Sequence, residues 1–380
     1  MHRRQFIKSM GAASLFMLQA PALSKALAEN KTKKFVWVVL RGAMDSLHTV
    51  IPTQESRLSA LRPKLSKSFK AEPLVLTEQF ALHPALQNFH RLYHQKQLIP
   101  VVAVGTGYPR RSHFDGQDYL ESGLPSMDHD TGWLGRALTE QTTQPNSKGL
   151  AVANSVPISM RASDKVSTWY PSNLKDADEN IYEALLSLYE YDQQLMSRLQ
   201  EAIDTKAVTG DMASKKSHFV ELSKACGRLL KSDSSTDCAM LQLGGWDTHN
   251  NQAFRLERQL EQLDKGIDAL QAELAEQWQD TVVVIATEFG RTVKENGTGG
   301  TDHGTGGAMF LLGGAVSGGK ILGQWPGLAP EQLFKQRDLM PTTNTFSWIA
   351  TALQQHWQMS EQEIAKVFPD CQIYPHPIVS

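Results

Sequence analysis

The sequence predicts an α/β fold in which helices cover both faces of a mostly parallel central sheet, with one helical insertion. Three observations carry this. Short continuous apolar runs recur along the chain, helix-period segments lie between them, and polar groups capable of chemistry follow the runs. Residues 35–40 (FVWVVL) show no alternation and stop at Arg41-Gly42, as a strand buried on both faces does. Residues 98–104 read the same way and end in Gly105-Thr106-Gly107. Residues 149–153, 240–243 and 282–286 are shorter runs of the same kind. Between the last two, Leu256, Leu260, Leu263, Ile267, Leu270 and Leu274 alternate steps of four and three, one apolar stripe on a helix. Strands alternating with helices predict a parallel sheet.

Residues 176–231 keep a helical pattern without strand runs. Leu185, Leu188, Leu195 and Leu199 make one stripe there, which predicts a helical insertion over the sheet. A further helix starts at Trp133-Leu134-Gly135-Arg136, and His83, His90 and His94 fall in another that begins near His83-Pro84. His90 and His94 are four apart, a spacing that can hold a metal, but they lack the glutamate of a metalloprotease pattern. The glycine-rich stretch 296–307 (NGTGGTDHGTGG) is too irregular for a phosphate or dinucleotide loop.

The N-terminus has its own signature. His2-Arg3-Arg4-Gln5-Phe6-Ile7-Lys8 precedes a mildly apolar stretch, and Ala26-Leu27-Ala28 is a small-x-small cleavage site. This order describes a twin-arginine export signal over residues 1–28. Gln19, Pro21 and Lys25 interrupt the run, so it falls short of the roughly 20 apolar residues of a membrane span. The working protein is then one exported domain over residues 29–380, handled by the twin-arginine translocase, periplasmic or otherwise outside the cytoplasm. The same reading predicts no stable membrane anchor. That route carries folded chains, which suits a cofactor loaded before export. Without Arg3, Arg4, Lys8 and Lys25 the 38 basic residues become 34 against 40 acidic ones, a net charge of −6. Scattered, mildly acidic charge gives no footprint for nucleic acid. Cys226, Cys238 and Cys371 allow one disulfide at most and no cysteine-based metal cluster.

Four strand ends carry groups capable of chemistry. After residue 40 come Arg41 to Ser46 with Asp45; after residue 104 come Tyr108, Arg110, Arg111, Ser112, His113 and Asp115. After residue 243 comes GGWDTH with Asp247 and His249, and after residue 286 comes TEFGRT with Glu288 and Arg291. Asp302-His303 follows in the glycine loop. In a parallel sheet the carboxyl ends of strands share one edge, where ligands bind. Asp247-x-His249 puts a carboxylate and an imidazole on one side of an extended segment, a pair able to hold one ion. Each group also has a plainer reading. Asp247 and Asp45 can cap helices, Glu288 and Arg291 can pair internally, and Arg110-Arg111 can be a solvated face.

The blocks RGAMDSLHTVIP (41–52), RSHFDGQDYLESG (111–123), GGWDTH (244–249), TEFGRT (287–292) and GGTDHGTGGAMFLLGG (299–314) resemble the domain-of-unknown-function 1501 family, which is similar to the alkaline phosphatase superfamily. The resemblance implies an alkaline phosphatase-like sandwich. It also implies one or two divalent ions, Zn or Mn, held by Asp45, Asp247, His249, Glu288 and His303. Ser112 takes the place of the superfamily's hydroxyl nucleophile, and Arg111 or Arg291 would stabilise the added negative charge. The sequence departs from the superfamily at Glu288-Phe289, where an Asp-His pair is usual, so one imidazole is missing; Asp302-His303 can supply it in another alignment. The implied activity is metal-dependent hydrolysis of phosphate or sulfate esters, on a small-molecule or polymer-linked anionic substrate. The alternative is a binding or assembly component on the same fold.

Overall fold

The computed structural model describes residues 32–171, 179–209 and 218–380. The predicted signal, residues 1–28, lies outside the described residues. Residues Lys33–Ser380 form one compact unit.

Strand β1 (Lys34–Leu40) is buried at every residue, which explains its unbroken apolar run. It pairs in parallel with β8 (Thr236–Leu243) on one side and β9 (Thr281–Thr287) on the other. Beyond β8 lie β6 (Lys148–Ala151) and β7 (Val166–Thr168), both parallel. Beyond β9 the order continues through β10 (Gly307–Leu312), β5 (Leu98–Gly105) and β11 (Thr343–Asn344). Only β10 runs against its neighbours in this eight-stranded sheet. A second, three-stranded antiparallel sheet joins β2 (Val50–Pro52), β4 (Phe80–Leu82) and β3 (Leu74–Val75).

Alternation along β1 divides the core in two. Val36, Val38 and Leu40 face one cluster, and Phe35, Trp37 and Val39 face the other. The first cluster is closed by α1 (Gln87–His94), α6 (Phe219–Ser232) and α7 (Gln252–Leu274), whose buried leucines are those of the predicted stripe. The second is closed by α2 (His113–Ser122), α3 (Trp133–Glu140), α8 (Thr345–Trp357) and α9 (Glu361–Val367). The expected sandwich, a mostly parallel sheet between two helical layers, is therefore what the chain forms.

Of the expected insertion, residues 176–231, positions 176–178 and 210–217 lie outside the described residues, and the described part has two characters. Helices α4 (Glu179–Leu188) and α5 (Gln193–Thr209) are largely exposed. Helix α6 buries Leu222, Cys226, Leu229 and Leu230, so it is a layer of the sandwich and not an insertion. The parallel sheet needs a helix over that face, and α6 leads into β8 to supply it. No helix of the described residues is long and apolar enough to cross a membrane.

Candidate metal centre

The site lies at the edge where β1, β5, β8 and β9 end. Beyond β5, Ser112 caps α2; its hydroxyl accepts from the Asp115 backbone N–H at 3.5 Å, an ordinary N-cap bond. His113 is the first residue of that helix. The loop after β8 brings Asp247 and His249, and the turn after β9 brings Glu288 and Arg291. Because β10 is antiparallel, the loop that precedes it reaches the same edge and brings Asp302 and His303. Glycine permits the crowding. A Cβ on Gly42, at φ 120°, would stand 2.6 Å from the Asp247 nitrogen, and one on Gly290 would overlap the Gly306 carbonyl.

Three imidazoles and one carboxylate face a common point. Nε2 of His249, His303 and His113 lie 3.0, 3.3 and 3.5 Å from Asp247 Oδ1. His303 Nε2 is 2.9 Å from Nε2 of both His113 and His249. Each ring is held from behind through its other nitrogen. His113 Nδ1 is 2.7 Å from Glu288 Oε1, His249 Nδ1 is 3.1 Å from Asp302 Oδ1, and His303 Nδ1 is 2.9 Å from the Arg111 carbonyl. These acceptors assign the ring hydrogens to Nδ1. Three Nε2 lone pairs then point at one another and at a carboxylate, an arrangement that repels unless positive charge sits among them. Such a set fits a divalent ion of the kind imidazole prefers, and histidines anchored through the second nitrogen are how metal sites fix the tautomer. The donor atoms of His113, Asp247 and His303 all lie within 4.8 Å of one another; His249 adjoins beside His303.

The surrounding charges match this division of labour. Burial disfavours the charged form of His113, but its bond to Glu288 and the nearby Asp247 outweigh that and raise its pKa. Burial lowers His303. Burial alone would raise Asp247 and Glu288, yet Arg291 holds the first below its usual range, and His113 and Gln117 hold the second below. Phe289 is buried and stacks on His113 with ring centroids 5.0 Å apart, walling the cluster on one side.

Several expected roles change. Asp45 is not brought to the cluster. It is fully buried, and its carboxylate takes Arg62 Nη1 at 2.7 Å, the His48 N–H at 3.0 Å, Gln252 Nε2 at 2.9 Å and the Thr301 hydroxyl at 3.1 Å. With those lone pairs engaged, it has none to offer an ion. Burial would raise its carboxyl, but Arg62 overrides this and holds it at about 2. Glu288, also fully buried, gives Oε1 to His113, Gln117 and the Gly42 N–H, so it orients a donor and is not one itself. Arg291 has a wholly buried side chain. Its Nη1 donates to Asp247 Oδ1 at 2.6 Å and its Nε to the Thr301 hydroxyl at 3.1 Å, with a further bond to the Thr301 carbonyl. It holds Asp247 and is not free for a substrate. Arg111 is partly exposed, held through Nη2 by buried Asp338 at 2.6 Å, with Nε unpartnered. His113 is the member that sequence reasoning passed over, because its neighbour Ser112 drew the attention. Its place at the first turn of the helix after β5 was the available signal.

Residues 106–368 match the family described as "Protein of unknown function (DUF1501)". No curated protein matches the chain. Among solved structures it is similar to alkaline phosphatase from the Antarctic bacterium TAB5, at 12% identity over 90% of this chain and 100% of that one, with a TM-score of 0.39. The lipoteichoic acid synthase LtaP from Listeria monocytogenes is similar at 8% identity, covering 78% and 67% of the two chains, with a TM-score of 0.39. Lipooligosaccharide phosphoethanolamine transferase A from Neisseria meningitidis is similar at 11% identity, covering 91% and 59%, with a TM-score of 0.41. The family match spans well over half of the sequence, and the chain belongs to the DUF1501 family.

Proposed function

We propose that the protein is an exported, metal-dependent hydrolase of phosphate or sulfate esters. The observation that carries this is the convergence of three back-anchored Nε2 atoms on Asp247 Oδ1. His113, Asp247 and His303 would hold a divalent ion of the Zn or Mn class, with His249 adjoining. Such an ion supplies Lewis acidity, lowering the pKa of a hydroxyl or water and polarising the ester oxygen.

The chain's own residues do the rest. Ser112, beside His113 and at the positive end of α2, would act as the nucleophile; the helix terminus favours its deprotonated form. Its Oγ, having given its proton to solvent, forms a bond to phosphorus or sulfur as the bond to the ester oxygen breaks, and the departing oxygen takes a proton from solvent. Water then releases the ester formed on Ser112. Arg111, aimed by Asp338, binds the non-bridging oxygens with the donors it has left. Glu288, Asp302 and Arg291 keep the imidazoles and Asp247 in position. The substrate is a small-molecule or polymer-linked anionic ester. Residues 1–28 direct the chain through the twin-arginine translocase.

A second reading, a binding or assembly component without turnover, is favoured by Phe289. It stands where the resemblance expects a ligand histidine, and its ring packs on His113. One set of measurements separates the two. Chain isolated from the exported fraction should carry about one divalent ion by elemental analysis, and should hydrolyse an aryl phosphate or aryl sulfate in a Ser112-dependent way. Metal with no turnover leaves the second reading. Chain without metal, unchanged by chelator, overturns both the ion and the hydrolase.

A further inference from the structure

Away from the strand edge, on the outer side of α1, two histidines stand one turn apart. His90 and His94 share a face by their spacing of four, and their Nε2 atoms lie 3.0 Å apart. The rings are nearly perpendicular, with centroids separated by 4.5 Å. The carbonyl oxygen of Val75, in β3, is 3.0 Å from the same His90 Nε2. His90 Nε2 therefore has two electron-pair donors against it, one from its own helix and one from β3.

A proton serves that point poorly. If His90 Nε2 carries hydrogen, a single N–H must serve the Val75 carbonyl and the His94 nitrogen through one bent, shared bond. If it carries a lone pair, that pair faces the carbonyl oxygen. A cation satisfies all three donors at once. Two imidazoles and a carbonyl oxygen suit a first-row divalent ion, and the affinity order of those ions puts copper(II) above nickel(II). His94 is exposed and His90 partly so, leaving the point open to an ion from solvent.

We propose that His90, His94 and the Val75 carbonyl form a surface site for a divalent ion, copper(II) first and nickel(II) second, with water in the remaining positions. The ion ties β3 to α1 and so clips the small sheet to the main body. This site is independent of the strand-edge cluster and of the hydrolase reading.

The test uses the full chain carrying His113→Ala and His303→Ala, so that the strand-edge cluster does not compete. Calorimetric titration with copper(II) and then nickel(II) gives stoichiometry and affinity, and paramagnetic resonance of the copper form reads its ligands. The expected result is that His94→Gln and His90→Gln, each added to that background, weaken one copper equivalent roughly tenfold or more. Together they should remove it, with loss of imidazole nitrogen coupling from the spectrum. Nickel should follow the same pattern more weakly. His94 is exposed and its replacement leaves the core untouched, so a misfolded variant does not mimic the loss. Copper stoichiometry and spectrum unchanged by the two glutamines would overturn the site, as would tighter nickel than copper binding there.

Discussion

Asp45 and Asp247 follow neighbouring strands of one sheet, β1 and β8, and end in opposite situations. Asp45 is sealed, with an arginine, an amide, a hydroxyl and a backbone N–H around its two oxygens. Asp247 keeps 42% of its side chain exposed, with Arg291 fixing Oδ1 from below and three imidazoles facing the same atom from above. One Thr301 hydroxyl bridges the two regions, lying 3.1 Å from Asp45 Oδ2 and accepting from Arg291 Nε. An acid after a strand is thus a structural pair or a candidate ligand according to how many of its lone pairs the fold consumes.

The sharpest way to break this comparison is Asp45→Ala. It strands the buried Arg62 guanidinium, and removing one partner of such a pair costs about 3–5 kcal/mol, read by urea unfolding at pH 7. Asp247→Asn should cost clearly less, since its exposed face stays hydrated; equal losses would erase the distinction. Acid should find the same difference. The folded carboxyl of Asp45 is depressed from its ordinary value to about 2. Its contribution of about 2 kcal/mol is therefore fully present above about pH 4 and is lost as pH falls toward 2. In Asp45→Asn that acid-sensitive part of the stability curve should vanish.

The next effect in size belongs to the anchors. Glu288→Gln keeps an oxygen near His113 Nδ1 but removes the charge, and such partners are worth roughly 10–100-fold in metal affinity. Titration against a metal buffer measures it. Affinity within twofold of the parent chain would show that the His113–Glu288 bond does not tune the site. The smallest effect is expected at the bridge. Thr301→Val removes one shared hydroxyl at about 1 kcal/mol of stability, and should loosen Arg291 enough to weaken metal binding by less than tenfold. A change in stability with no change in metal binding would mean that the two regions are adjacent without being coupled.

The strands and the long helix were legible because burial on both faces leaves an unmistakable apolar run, as in β1, and because the stripe from Leu256 to Leu274 repeats over many turns. Strand β10 was not, since its residues sit inside a glycine-rich signature block and nothing local tells the direction in which a strand enters a sheet. Which side chains meet was legible only in part. Asp247, His249 and His303 stood out by residue type at strand ends. The assignment of Asp45 as a ligand failed because its partner Arg62 lies in a segment with no motif. Arg291 failed because its burial follows from the fold of the glycine loop around it. His113 was obscured by a hydroxyl neighbour whose N-cap bond is visible only in three dimensions.

Strand β10 has one more consequence, for the order of events as the chain folds. His113 and His303 are 190 positions apart and meet within 2.9 Å, and β10 contacts both β5 and β9 to bring them there. No contiguous fragment short of that span contains the cluster. Closing so long a loop is among the slower steps available to a chain, so the cluster assembles late. Any ion that recognises it recognises a finished molecule.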